Sequence, residues 1–237
     1  MPPSPVDPVD GRVTDGRAAR WSGQQQRRRA EFVDAALVAI KEHGADVSTE
    51  QIAAEAGVAR TRLYRHFSGA NALNAAIAER AETMILEALA PVWDVSASPR
   101  DIIRTAVTTH LGWLTENQQL YLYLVRHSVA TPAGDNVVND VKRLISHLLI
   151  RLLDEYVEAV GLDARVTQPL AFGLVGFVDA AAARWVGDPG GLETDEMVDL
   201  LAGWIWSVLD GVLRQIGLEI DPAVPLDLGA AGAAPTG

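Results

Sequence analysis

The 237-residue chain contains no cysteine. That absence removes disulfide staples, thiolate nucleophiles and thiolate metal sites together, and it suits a reducing compartment. Histidine is scarce as well, with five scattered residues. A Glu-x-x-His pair, an H-E-x-x-H helix and a Gly-rich phosphate loop are all missing, which removes the usual routes to a di-metal centre, a zinc hydrolase or a nucleotide enzyme. We therefore expect no catalysis, no metal and no cofactor. No run of eighteen uninterrupted apolar residues occurs, and no basic start followed by an apolar centre precedes a cleavage site, so the expected location is cytoplasmic, with no membrane partner. Aromatics make up 6% of the chain, yet a hydrophobic content of 49% is ample for a core in one large domain or a small domain plus a larger one.

Positive charge is also in deficit: 20 Lys and Arg stand against 31 Asp and Glu, a net charge of −11. The deficit is uneven. Residues 1–70 carry ten basic and nine acidic side chains, so +1; the remaining ten and twenty-two give −12 over residues 71–237. An acidic body behind a neutral, arginine-bearing front would orient the molecule on a polyanion.

What is present begins with Ser48 to Phe67, STEQIAAEAGVARTRLYRHF. Ser48 and Gln51 have capping-box spacing, so a helix is predicted from Thr49, burying Ile52, Ala53 and Ala56. Gly57 can take the left-handed conformation that ends it, and Gly57-Val58-Ala59 forms the turn. A second short helix follows from Arg60, with Leu63 and Phe67 inward and Arg60, Thr61, Arg62, Arg65 and His66 outward. Two helices joined by a three-residue glycine turn form a helix-turn-helix, the geometry that presents a second helix to the major groove.

In chain order, residues 1–23 lack apolar periodicity and are expected to form a disordered basic arm, whose Arg12, Arg17 and Arg20, with Arg27, Arg28 and Arg29 beyond it, suit a minor groove or phosphates. A first helix from about Gln24 to His43, striped by Phe32, Ala35, Ala36, Ala39 and Ile40, completes a three-helix domain over 24–70. That domain is too small to be robust alone. Helices are then predicted near Asn71 to Leu89, Pro99 to Glu116, Gln118 to His127, Asn136 to Val160, Thr167 to Val186 and Thr194 to Ile216. The fold class is all-α, the region 71–218 being an antiparallel helical bundle, with a disordered tail over 219–237.

Through I-A-x-x-A-G-V at Ile52 to Val58 and L-Y-x-H-F at Leu63 to Phe67, near the start of a helical chain of this size, the sequence resembles the TetR (tetracycline-repressor-like) family of bacterial transcriptional regulators. The resemblance in sequence covers about a fifth of the chain; beyond it only length and layout agree. It implies a homodimer formed by the last two long helices, double-stranded operator DNA as partner, and an internal pocket for a small-molecule effector that releases the DNA. By the same resemblance Arg60, Thr61 and Arg62 fall where base edges are read, and Tyr64 and His66 where phosphates are contacted. Physics agrees: an arginine fork suits guanine O6/N7, worth about 1 to 3 kcal/mol of discrimination. Ser48 and Thr49, at the amino end of the preceding helix, lie where a hydroxyl and a free backbone N–H meet a phosphate oxygen. A two-fold dimer predicts a palindromic operator, with half-site centres roughly 34 to 36 Å apart or further.

Two positions depart from the family pattern. Ala59 stands where a capping serine is usual, which forgoes about 1 kcal/mol, and Ala70 stands where a lysine is usual, which removes a phosphate contact. Arg65 is a candidate replacement. In the bundle, Trp113, Tyr123, Arg126, His127, Phe172 and Asp179 are candidate ligand contacts, since pockets combine aromatic walls with a few polar groups. Asp179 needs a partner: a polar ligand group, Arg184, or solvent at the dimer seam. Gly173, Gly176 and Ala180 form a small-residue strip that favours a dimer interface, to which Leu201, Ile205, Val208, Leu209 and Val212 add, with Trp204 and Trp206 near the seam. The expected effector is hydrophobic, and the expected action is repression. The competing readings are a helical dimer that binds small molecules but has weakened or lost its grip on DNA, and a helical-bundle enzyme.

Overall fold

The computed structural model describes residues 12–93, 97–128, 142–143, 145–151, 153–154, 164–215 and 217–225, and its account of side chains begins at Gly23. Among the described residues the protein is all-α. The α-helices with full bounds among the described residues are α1 Arg12–His43, α2 Thr49–Glu55, α3 Arg60–Leu63, α4 Ala70–Leu89, α5 Pro99–Glu116, α6 Gln118–Ser128, α7 Thr167–Gly187 and α8 Thr194–Gln215. Two compact units result, Met1–Ile77 and Ala78–Gly237, dividing within α4. The boundary lies two turns beyond the one expected at residue 70, because Leu73, Ala76 and Ile77 are buried apolar residues at the start of that helix.

In the first unit α1 packs on α2, and α2 on α3. Phe32, Val33, Ala36, Ala39 and Ile40 of α1 supply the buried face, joined by Val47, Ile52, Ala53, Leu63 and Phe67. Gly44, at φ +82°, ends α1, its N–H bonding the Ile40 carbonyl at 2.9 Å. At its other end α1 starts at Arg12, not near Gln24, so the arm expected over 1–23 is helical from Arg12 onward. Arg17, Ala18, Ala19 and Arg20 are good helix formers, and extending an existing helix needs no apolar stripe.

In the second unit α5, α7 and α8 form one core: Val107, Leu111 and Leu114 meet Leu174, Ala182 and Trp185, with Met197, Val198, Leu201 and Ile205. Ile85, Leu89 and Val92 form a smaller cluster, and Trp113 packs against both. Ser98 caps α5, accepting from Asp101 N–H at 3.2 Å and donating to its carboxylate at 2.6 Å, with Pro99 at the first position. Arg104 of α5 pairs with Asp199 of α8. Within the helix expected over Asn136 to Val160, only 142–143, 145–151 and 153–154 are described, all helical; the rest of that expectation lies outside the described residues.

The tail departs from expectation. Residues 219–225 are described, and the Pro222 carbonyl accepts from the Arg100 N–H at 2.9 Å. That N–H is one of the four at a helix start without an intrahelical partner, so the tail supplies what the helix cannot. Residues 226–237 lie outside the described residues.

Among the described residues α7 is the one helix long and apolar enough to cross a membrane by length and composition. Its apolarity is shared between two faces of a folded bundle. Leu174, Ala182 and Trp185 enter the core, whereas Phe172 and Phe177 are exposed, at 39% and 42%.

Candidate nucleic-acid interface and bundle interior

The reading stretch is built by local bonds. Ser48 Oγ accepts from the Gln51 N–H at 3.2 Å, and Gln51 Oε1 accepts from the Ser48 N–H at 2.8 Å, which completes the expected capping box. α2 then ends in a paired closure: the Val58 N–H bonds the Ala53 carbonyl and the Gly57 N–H the Ala54 carbonyl, each at 2.9 Å, around Gly57 at φ +65°. This is a Schellman motif, and it needs the left-handed conformation that glycine supplies most readily. Ala59 begins α3 with no side-chain cap bond. The helix is shorter than the stretch to Phe67 predicted; after Leu63 the chain tightens to i→i+3 bonds, Arg65 N–H to the Arg62 carbonyl and His66 N–H to that of Leu63. Leu63 and Phe67, both buried, hold it from beneath.

Of the outward residues, Thr61, Arg62 and Arg65 are exposed. Arg60 is not a free fork. Its Nη1 is paired with the Glu50 carboxylate, and its guanidinium carbon lies 5.3 Å from the centre of the Tyr64 ring. The Tyr64 hydroxyl in turn donates to Thr49 Oγ1 at 3.4 Å. Thr49, Glu50, Arg60 and Tyr64 thus form one surface network tying α2 to α3. The Thr49 hydroxyl, and after it Arg60, holds the Tyr64 phenol below its ordinary pKa. Tyr64 first and then Glu50 raise that of Arg60, so the guanidinium keeps its charge.

His66 is half-buried. Its ring lies 5.1 Å from that of Phe32, and its carbonyl accepts from Arg29 Nη1 at 2.9 Å. Arg29 also stacks over Phe67 at 4.5 Å. The arginine expected to serve the basic arm is therefore a clamp within the small unit, because its guanidinium finds an aromatic face and a carbonyl at one place. Arg28 pairs with Glu31 at 2.9 Å, and Arg27 is exposed.

In the bundle, Asp179 is buried and paired with Lys142 at 2.6 Å. Its expected alternative partner Arg184 bonds Asp188 instead, at 3.0 Å, because the two lie four apart along α7 and just beyond its end. Two polar atoms on α5, His110 Nε2 and Trp113 Nε1, are buried without a hydrogen-bond partner among the described residues. Burial holds the His110 imidazole below its usual pKa, against the pull of the Asp179 charge. Tyr121 is pushed up to about 12 by burial and then by Asp179. Tyr123 is also pushed up to about 12 by burial, and the His127 ring stacks on it at 4.1 Å. Arg126 is exposed, and so is Phe172, beside His147 at 6.1 Å. Of the six candidate contacts, Trp113, Tyr123 and Asp179 are interior or partly so, His127 is partly buried, and Arg126 and Phe172 face outward.

The last two helices present an apolar surface. Phe177 and Trp204 stack edge to face at 5.9 Å, and Trp204 and Val208 are each 47% exposed. A side chain built at Gly173, Gly176, Gly203 or Gly211 would meet nothing within 4 Å. Leu201 and Ile205, expected at this seam, are instead buried in the bundle's own core, one helical face away from Trp204 and Val208.

Glu50 and Lys142 were not identified from sequence as members of these networks. Their partners, Arg60 and Asp179, lie on other elements, and no local spacing marks them.

A capped α2, a glycine closure and a short arginine-bearing α3 on a three-helix unit define a helix-turn-helix DNA-binding protein. The profile of bacterial regulatory proteins of the tetR family matches residues 32–77. An uncharacterized HTH-type transcriptional regulator of Mycobacterium tuberculosis is 34% identical over 209 residues, 86% of each chain. A TetR-like transcriptional regulator from Rhodococcus sp. RHA1 shares 28% identity at a TM-score of 0.58, over 78% of this chain and 96% of that one. FadR from Bacillus subtilis, solved in complex with stearoyl-CoA, shares the fold at 18% identity and a TM-score of 0.55, covering 74% and 96%. The chain belongs to the TetR family of transcriptional regulators.

Proposed function

We propose that the protein is a homodimeric repressor that binds a palindromic operator and is released by a small, mainly hydrophobic effector. The observation that carries the DNA-reading part is the surface of α3, where Arg60, Thr61 and Arg62 follow one another outward while Leu63 anchors the helix. Arg62 supplies a forked donor for guanine, Arg60 the donors that its pairing with Glu50 leaves over, and Thr61 a hydroxyl for either base edge. Ser48, Thr49, Tyr64, Arg65 and His66 serve the sugar-phosphate backbone. Backbone contacts set orientation without carrying sequence information directly.

The dimer reading rests on the exposed Phe177, Trp204 and Val208, set beside glycines with open space above them. Small residues admit a second backbone closely, and aromatic rings supply the buried area. Replacement of both Phe177 and Trp204 by Asp is expected to convert dimer to monomer in analytical ultracentrifugation. A dimer that persists at micromolar concentration in that variant would refute this seam.

The effector reading rests on the apolar bundle interior with a few polar atoms inside it, which is the composition of small-molecule sites. Trp113, Tyr123, His127 and Asp179 are the residues we assign to it. The unpartnered Trp113 Nε1–H would donate to an oxygen on the effector. In a thermal-shift screen, acyl or polycyclic compounds should raise the melting temperature, and stabilisation by small charged metabolites alone would count against the reading.

Retardation of a promoter fragment of its own or a neighbouring gene tests the whole. Binding should weaken as salt rises, and Arg60→Ala and Arg62→Ala should each reduce sequence preference. Failure of the parent to retard any such fragment at low salt would favour the second reading, a small-molecule-binding dimer without DNA function. The uncapped Ala59 is the observation that favours that alternative.

A further inference from the structure

We infer that Glu50 is a specificity-determining positioning residue, whose carboxylate holds the Arg60 guanidinium on the Tyr64 ring and aims its remaining donor edge at a guanine. The inference rests on the DNA-reading role of Arg60 proposed above. Glu50 lies in the first turn of α2, and Arg60 opens α3; both side chains are more than half exposed, at 60% and 54%.

An exposed ion pair contributes little to stability, so folding alone does not account for it. A carboxylate beside the reading helix is also adverse for affinity, because the helix must approach a dense array of phosphates. Its location makes sense if it restricts Arg60. A lone arginine on a flexible stem sweeps across phosphates as readily as bases. Here the guanidinium is held at Nη1 by Glu50 and along its face by Tyr64, which Thr49 anchors in turn. Glu50 takes Nη1 alone and Tyr64 is the other group the guanidinium leans on, so the Nε–Nη2 side is not spent on the carboxylate; two parallel donors on that side are what guanine O6 and N7 accept. The carboxylate also lowers the attraction of Arg60 to nearby phosphates, which favours discrimination over tightness.

The duller account is that Glu50 complements the positive amino end of α2, as acidic residues in a first turn do. The two accounts differ in what Glu50 does to base preference. Full-length parent, Glu50→Gln, Glu50→Ala, Arg60→Ala and the double Glu50→Ala/Arg60→Ala variant are each used to select from a pool of randomised duplexes, and the bound DNA is sequenced. The parent should enrich a symmetric motif containing a guanine position that Arg60→Ala flattens. Both Glu50 variants should lower the preference at that same position about tenfold, while their affinity for random duplex rises. The double variant should show no loss at that position beyond that of Arg60→Ala. Glu50 variants that bind all duplexes more tightly but keep the guanine preference would overturn the inference and leave the regulator reading standing. A parent that enriches no motif would overturn both.

Discussion

The two units place their polar groups differently. In the reading unit the network that matters is at the surface and joins residues close in sequence: Ser48 to Gln51 is three residues, Glu50 to Arg60 ten, Thr49 to Tyr64 fifteen. In the bundle the important polar groups are buried, and contacts reach further, as when Gln118 donates to the Val186 carbonyl across sixty-eight residues. A surface network can be rearranged by a ligand as large as DNA at little cost to folding, whereas a buried one is part of the core and responds only to what enters it. The contrast teaches that specificity and stability are separable in the first unit and entangled in the second.

The largest expected effect breaks the first unit alone. Leu63→Ala removes a fully buried side chain beneath α3 and should cost about 2 to 5 kcal/mol. In a unit this small that loss should remove DNA retention, while circular dichroism still reports a helical bundle. Retained operator binding with an unchanged melt would show that the bundle carries the reading unit's stability.

Next in size is an alkaline effect specific to the bundle. Tyr123 is raised to about 12 by burial, against about 10 when unfolded. Above pH 10 the unfolded state has lost the proton that the folded state keeps, so its stabilising contribution is complete below pH 10 and declines as pH rises through 12. The loss is roughly 2 to 3 kcal/mol, and chemical denaturation of Tyr123→Phe over that range should show a flatter profile than the parent. Matching profiles for the two proteins would mean that Tyr123 is not the group responsible.

Lys142→Met leaves Asp179 without its partner. The expected cost is about 2 kcal/mol, below the 3 to 5 of a fully enclosed pair because Lys142 is about a third exposed. The double replacement Lys142→Met/Asp179→Leu should recover most of it in urea denaturation. A double variant as weak as the single would mean that the pair has a further partner.

The smallest effect lies back in the reading unit. Ala59→Ser restores a cap to α3 and should add about 0.5 to 1 kcal/mol to thermal stability. No gain would indicate that the serine hydroxyl prefers solvent to the Arg62 N–H.

Much of the fold was legible because helix signals are local. The capping box at Ser48, the glycine at 57, the proline after Ser98 and the 3.6-residue stripes placed α2, α5 and α6 within a residue of where they lie. Boundaries slipped where no stripe existed, as at Arg12, and where a short helix tightened, as after Leu63. Of the reading face, the outward arginines followed from helical periodicity, but the pairing of Arg60 with Glu50 did not, since the rest of α2 and a turn lie between them and set no fixed spacing.

The amino-acid sequence by itself determined that this chain is all-α, that it has a helix-turn-helix near its start, and which side of α3 faces outward. It could do so because hydrogen bonds within four residues and the period of apolar burial are written along the chain. Only tertiary structure decided that Arg29 clamps His66, that Asp179 takes Lys142 over Arg184, that Leu201 and Ile205 turn into the core while Trp204 and Val208 stay outside, and that Glu50 holds Arg60. Partner choice among charged and aromatic side chains depends on which helices lie side by side, and that is set by packing of the whole core, a property no short stretch of sequence contains.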